Sequence, residues 1–334
     1  MPSFPLKLSS RMRDELRDRF DELISTGLES SSPEKFTVDD ATRTLEAMEE
    51  GALEVPNRPL EAIILRFGRP AYLVQDDTFD TTSTPSSSEE VDAVVNAARG
   101  FLEGAIPSVG RVDLRNHRAG WVGTGWIVAP GIVVTNRHVA EAFAVEVDSG
   151  FAFVENFEGR AAKASLDTVR EHGSGRESVF RVQDILWLEP SLGGHHDVAF
   201  LRIRPEGEDD QPPPSPLQLI EDAAFEALEP SRWVSIIGYP AFSIYNNSQD
   251  QQRIFDGIFD VKRLQPGQLS AQMTNDELNH DATTLGGNSG SVVLDLEAEN
   301  VIGLHFGGLE GQTNSAVPAP VIRRLLQEKL SIEV

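Results

Sequence analysis

Ser289 stands in Gly286-Gly287-Asn288-Ser289-Gly290-Ser291. Glycines on both sides permit a tight turn that exposes one hydroxyl and turns backbone N–H groups outward. A nucleophile beside an oxyanion hole needs both features. The bland alternative is a glycine-rich turn with no chemistry. A serine hydroxyl is a weak nucleophile and needs a base. Among seven histidines, His138 follows the apolar run Ile132-Val133-Val134 through Thr135-Asn136-Arg137. A histidine at a strand end is held rigidly yet reaches a cleft. Taken alone, it reads better as a capped or solvated surface residue. The third member must be a carboxylate that fixes the imidazole tautomer. Asp197 is the only acid in the run 197–203 and leads straight into Val198-Ala199-Phe200-Leu201. Burial there demands a strong partner, which His138 would supply; otherwise Asp197 simply starts a strand.

These residues lie in strand-like sequence that begins near residue 106. WVGTGWIVAPGIVVTNRHV predicts a hairpin around Ala129-Pro130-Gly131. DVAFLRI (197–203), RWVSIIGY (232–239), GIFDVKRL (257–264), SVVLDL (291–296) and VIGLHF (301–306) predict further strands. The acidic, Pro-rich stretch 205–216 divides them into two halves, which suggests paired β-barrels. Val321, Ile322, Leu325 and Leu326 predict a terminal helix over 318–330. Residues 1–75 read as helical. Met12, Leu16, Phe20, Leu23 and Ile24 share one face after Ser9 or Ser10. Thr37 and Asp40 resemble a capping box, and Pro59 opens a third helix that stops near Gly68. Residues 76–90 are polar and Ser/Thr-rich, so an exposed linker is expected, with another helix over 89–104.

Composition narrows the function. A chain of 334 residues is expected to hold about two domains. Lys and Arg number 29 against 53 Asp and Glu, for a net charge of −24. Such a polyanion will not track a phosphate backbone or an anionic membrane. Cysteine is absent, which excludes disulfides, thiolate zinc sites and a cysteine nucleophile. No apolar run approaches the ~18 residues of a membrane span, and residues 1–24 lack the apolar core of a signal peptide. A cytoplasmic address is expected. His195, His196, Asp197, His280 and Asp281 raise the question of a metal. Adjacent strand histidines point to opposite faces, so no metal and no cofactor is expected.

Four segments carry a family resemblance. Thr135-Asn136-Arg137-His138-Val139, His196-Asp197-Val198-Ala199-Phe200-Leu201, Gly287-Asn288-Ser289-Gly290-Ser291 and Gly123-Thr124-Gly125-Trp126-Ile127-Val128 resemble the signature segments of trypsin-like serine peptidases. They occur in family order, with His before Asp before Ser. The resemblance implies a mainly β fold of two chymotrypsin-like six-stranded antiparallel β-barrels and a C-terminal helix; the small α-helical N-terminal region read above precedes it and lies outside the resemblance. The resemblance places the peptidase domain at 91–334, with barrels at about 106–204 and 217–318. It implies His138 as general base and then acid, Asp197 as its orienter and Ser289 as nucleophile. It also implies that the N–H groups of Gly287 and Ser289 form the oxyanion hole. Animal trypsins carry an aspartate before the serine that pairs with a newly cut N-terminus. Here Asn288 takes that place, which puts that activation switch in doubt.

Gly303-Leu304-His305-Phe306-Gly307-Gly308 looks like a segment of bacterial glutamyl endopeptidases, and Asn314-Ser315-Ala316-Val317 follows at a similar spacing. The likeness makes His305 and Thr284 the contacts of the P1 side chain, within a substrate site that includes Phe306, Gly307 and Gly308. An imidazole N–H and a hydroxyl both donate to a carboxylate or amide oxygen, so Glu or Gln is expected at P1. The bland alternative makes His305 a structural strand histidine. The reading is thus a serine endopeptidase acting on protein or peptide substrates. Latency until activation is open, and the helices of 1–75 are candidates for regulation or for binding an activator or target. The alternative is a non-catalytic binding module on a protease fold.

Overall fold

The computed structural model describes residues 6–27, 36–50, 57–82, 87–148, 150–190, 195–244, 246–270, 274, 276–308 and 314–334. Four helices come first: α1 (Ser10–Asp18), α2 (Phe20–Gly27), α3 (Val38–Glu49) and α4 (Arg58–Gly68). Ser9 caps α1 by accepting from the Met12 N–H, Thr37 and Asp40 close a reciprocal capping box on α3, and Asn57 caps α4 ahead of Pro59. Each cap satisfies N–H groups that a helix cannot satisfy itself. A hairpin follows, β1 (Tyr72–Gln75) and β2 (Thr78–Phe79), turned by Asp76 and Asp77 at φ 53° and 60°. Residues 76–90 thus include β2 and bury Phe79, Ser87 and Ser88, although an exposed linker was expected; residues 83–86 lie outside the described residues. The single helix expected over 89–104 is two, α5 (Glu89–Ala97) and α6 (Arg99–Ala105), broken at Ala98.

The next strands are β3 (Val109–Arg115), β4 (Trp121–Ala129) and β5 (Ile132–Thr135), then a one-turn helix α7 (Arg137–Ala140). A side hairpin, β6 (Ala144–Val147) and β7 (Gly150–Phe153), precedes β8 (Lys163–Asp167), β9 (Val179–Leu188) and β10 (Ala199–Ile203). Six of these close an antiparallel barrel in the order β10-β5-β4-β3-β8-β9. Its interior is apolar, with Val112, Ile127, Val133, Leu166, Phe180 and Leu201 buried together.

The remaining elements are α8 (Asp222–Glu226), β11 (Trp233–Gly238), α9 (Ser248–Phe255), β12 (Arg263–Gln268), β13 (Leu278–His280), β14 (Val292–Asp295), β15 (Asn300–Gly308), β16 (Asn314–Pro318) and α10 (Ala319–Leu330). The strand expected at 257–264 begins only at Arg263, because Asp256, Gly257 and Asp260 adopt left-handed backbone and hold a turn. Six strands run β13-β16-β15-β14-β11-β12, and the sheet continues into β1 and β2. The outer edge of β12 is shared. Arg263 and Leu264 pair with β1, while Leu269 just beyond bridges His280 and joins the two ends. The N-terminal region therefore wedges into the second half of the molecule. One apolar core runs from Met12, Leu16, Phe20 and Leu23 through Ile236, Val292 and Ile302 to Ile322 on α10. Burying each such side chain contributes roughly 1.5–3 kcal/mol.

Candidate active site

Strand register brings the first two residues together. β5 and β10 are antiparallel, with Thr135 opposite Ala199 and Val134 opposite Phe200. Continuing that register past both strand ends sets Asp197 beside the Arg137-His138 turn. All four residues of β5 are buried, so the turn leaves a rigid platform. Asn136 Nδ2 donates to the Asp197 carbonyl at 2.9 Å. Asp197 then uses both carboxylate oxygens: Oδ1 accepts the His138 backbone N–H at 3.0 Å, and Oδ2 lies 2.5 Å from Nδ1. A carboxylate at Nδ1 holds the proton there and leaves Nε2 as a base. His138 is at the end of a strand by sequence and on the short helix α7 in space.

Thr124, between Gly123 and Gly125 on β4, ties the serine turn to the first barrel. Its N–H donates to the Ser289 carbonyl at 2.8 Å and its hydroxyl to the Gly287 carbonyl at 2.8 Å. A Cβ at Gly123 would lie 2.9 Å from the Ser289 carbonyl oxygen, so the approach needs glycine there. Gly290 has φ +88°, and a Cβ on it would meet the Thr124 carbonyl at 1.9 Å. Among the described residues no hydrogen bond joins Ser289 Oγ to His138. Such contacts commonly tighten only when substrate is bound.

Peptide planarity sets where the backbone N–H groups of this turn point. In a trans peptide the C=O and the next N–H point opposite ways. The Gly286 carbonyl accepts from the Ala241 N–H at 2.6 Å, and the Asn288 carbonyl from the Ser291 N–H at 2.8 Å. Those anchors turn the Gly287 and Ser289 N–H groups outward, and neither donates to any group among the described residues. Two free, preorganised donors beside the Ser289 side chain suit a developing oxyanion. Asn288 is fully buried, with Oδ1 3.4 Å from Ser291 Oγ. The turn is thus built without a charge partner at that position.

Backbone bonds lock His305 to the same turn: its carbonyl accepts from the Gly290 N–H and its N–H donates to the Ser291 carbonyl, both at 2.8 Å. Its side chain is buried and meets His280, a residue without a role in the sequence reading. His280 Nδ1 accepts the Ala282 N–H at 3.3 Å, and His280 Nε2 lies 3.2 Å from His305 Nδ1. A ring nitrogen that accepts leaves the other as the donor. His280 therefore carries its proton on Nε2 and donates a hydrogen bond from it to an unprotonated His305 Nδ1, which leaves His305 with an Nε2–H donor. Thr284 is half-buried, and its hydroxyl donates to Asn314 Oδ1 at 2.8 Å. Asn314 Nδ2 donates to the Ala282 carbonyl at 2.6 Å, which fixes that amide's orientation. Phe306, Gly307 and Gly308 extend β15 past a bulge, with Phe306 and Gly307 half-buried. His196 does not join the site; it is buried, with Nε2 3.3 Å from Arg324 on α10.

Burial lowers the pKa of His280 to about 3 and that of His305 well below the ordinary 6.5, the latter also by the nearby His280 and His138. In the unfolded chain both return to about 6.5. From pH 6.5 down towards 3 the unfolded chain binds protons that the folded chain refuses. Stability present above that window is lost as pH falls through it, by roughly 1.4 kcal/mol per pH unit for each histidine. Urea midpoints measured across the window should fall less steeply in His280→Gln. Equal slopes would mean that another group dominates.

A barrel-borne His–Asp pair, a serine turn with two free N–H groups and the His-Asp-Ser order define a serine peptidase site. The family model for the trypsin-like peptidase domain matches residues 123–304, more than half of the sequence, and the chain belongs to that family. It is a serine endopeptidase of trypsin-like fold, and proteins or peptides are its substrates. A probable serine protease of Lysobacter enzymogenes is 29% identical over 290 residues, covering 80% of this chain and 74% of that one. A glutamyl endopeptidase of Staphylococcus epidermidis is 22% identical over 224 residues, 64% of each chain. Among solved structures, a Mycobacterium tuberculosis protease in its inactive form aligns with a TM-score of 0.43 at 18% identity, over 72% of this chain and 95% of that one. No helix among the described residues is long and apolar enough to cross a membrane.

Proposed function

We propose that the chain hydrolyses peptide bonds through an acyl-enzyme on Ser289, with His138 as base and then acid and Asp197 as its orienter. The Gly287 and Ser289 N–H groups hold the oxyanion, and cleavage follows Gln or Glu. The observation that carries the specificity is the hydrogen-bond relay Ala282–His280–His305, which presents a neutral imidazole donor. Peptide substrate lies along Phe306, Gly307 and Gly308, beyond that histidine on β15. Free oxyanion donors support a site competent without a charge switch, so latency, if imposed, acts on substrate access.

Gln is favoured over Glu. The Thr284 proton is committed to Asn314, so its oxygen faces substrate as an acceptor beside the His305 donor. One donor beside one acceptor matches a primary amide. A carboxylate would meet a lone pair at Thr284, and no Lys or Arg acts on either imidazole among the described residues. Burying an unpaired charge there is costly. The test is a cleavage profile on a diverse peptide mixture, followed by matched peptides with P1 Gln and P1 Glu. His305→Ala should lower kcat/KM for P1 Gln by about 10²-fold while leaving poor substrates almost unchanged. Cuts after other residues would retain the triad and discard this pocket.

A further inference from the structure

Extended backbone sends successive side chains to opposite sides. In the segment 280–284, His280 and Thr284 go to the pocket wall, where Asn314 also binds the Ala282 carbonyl. Asp281 and Thr283 turn the other way and meet Arg69, the residue that ends α4. The Arg69 side chain is fully buried. Its Nε and Nη2 donate to Asp281 Oδ1 and Oδ2, each at 2.7 Å, and Nη2 also donates to Gln268 Oε1 at 2.9 Å. Nη1 donates to the Gly68 carbonyl at 2.7 Å, and the guanidinium lies 5.0 Å from the Trp233 ring centre. The Arg69 carbonyl accepts from the Thr283 hydroxyl at 2.9 Å. Asp281 Oδ1 also accepts the Gln268 N–H at 2.6 Å, at the point where the second sheet joins end to end. A planar fork against a carboxylate sets orientation as well as distance, which an ammonium cannot do.

We propose that Arg69 is a positioning residue for the specificity pocket. Through Asp281 and Thr283 it holds the wall 280–284 in the register that presents His280 and Thr284 to the P1 side chain. The N-terminal region then supports the substrate site from behind, through Arg69. This inference rests on the pocket reading above, and the experiment separates the two.

Three variants of the full chain are compared with wild type: Arg69→Lys, Thr283→Val, and the double variant Arg69→Met with Asp281→Leu. The double variant replaces a buried ion pair by apolar groups, a change that folds tolerate well. For peptides with the preferred P1 residue, Arg69→Lys and the double variant should raise KM about tenfold with kcat within about threefold, and Thr283→Val should raise KM about threefold. The P1 profile should broaden in step. Labelling of Ser289 by a small fluorophosphonate should stay within about twofold, because that reaction needs the triad and not the P1 pocket. Unchanged KM and profile in folded variants would overturn the proposal. So would losses of labelling and cleavage in equal proportion, which mark a stability role alone. If wild type cuts after residues other than Gln or Glu, the pocket reading fails by itself. The role of Arg69 is still read from whether its variants change that wild-type profile.

Discussion

Ser289→Ala is expected to lower kcat by about 10⁶-fold, the scale seen when a triad nucleophile is removed. The physical reason is that no other group among the described residues is placed to attack a carbonyl held by the Gly287 and Ser289 N–H donors. The backbone bonds of the turn, from Thr124, Ala241, Ser291 and His305, do not involve the hydroxyl. The variant should therefore keep the wild-type melting temperature and still bind peptide. Residual hydrolysis from the oxyanion donors and substrate binding alone is expected at about 10³–10⁴ over water. Activity within about tenfold of wild type would assign the nucleophile elsewhere.

Asp197→Asn carries the second largest effect, a fall in kcat of about 10⁴-fold with little change in KM. The carboxylate accepts twice from His138, at its backbone N–H and at Nδ1. An amide of the same shape keeps the first bond and can turn its NH₂ towards Nδ1. The imidazole then carries its proton on Nε2, where it cannot take one from Ser289. The loss is thus one of tautomer and not of folding. It should appear in the acylation rate at neutral pH while the melting temperature holds. A fall of less than about tenfold would mean that another carboxylate orients His138.

The strand pairs and the serine turn were legible because their cause is local. β-branched runs bounded by Gly and Pro specify strands, and the glycines around Ser289 specify the turn whatever packs on them. The capping box at Thr37 and Asp40 was legible for the same reason, as both partners lie within one helical turn. The boundary of β12 was not, because Ile258, Phe259 and Val261 read as strand, while the left-handed backbone of Asp256, Gly257 and Asp260 leaves no hydrophobic trace. The hairpin of β1 and β2 was also hidden. Its strands are short, and what fixes them is pairing with Arg263 and Leu264, far along the chain.

The sequence by itself determined which side chains could do the chemistry: a serine among glycines, a histidine after an apolar strand and an aspartate opening another. It also determined the mainly β class and the terminal helix, since periodicity and turn chemistry are properties of neighbours. Only the tertiary structure decided how those groups are wired. Asp281, which the sequence raised only in the question of a metal, faces Arg69 because alternation along the segment puts it opposite His280. His305 becomes an Nε2–H donor because its Nδ1 accepts a hydrogen bond from His280, on another strand. Thr284 is left as an acceptor because its hydroxyl donates to Asn314, on a third strand. A tautomer and a hydroxyl direction are set by partners tens of residues away, and hydrogen-bond polarity is a property of the assembled network and not of any residue in it.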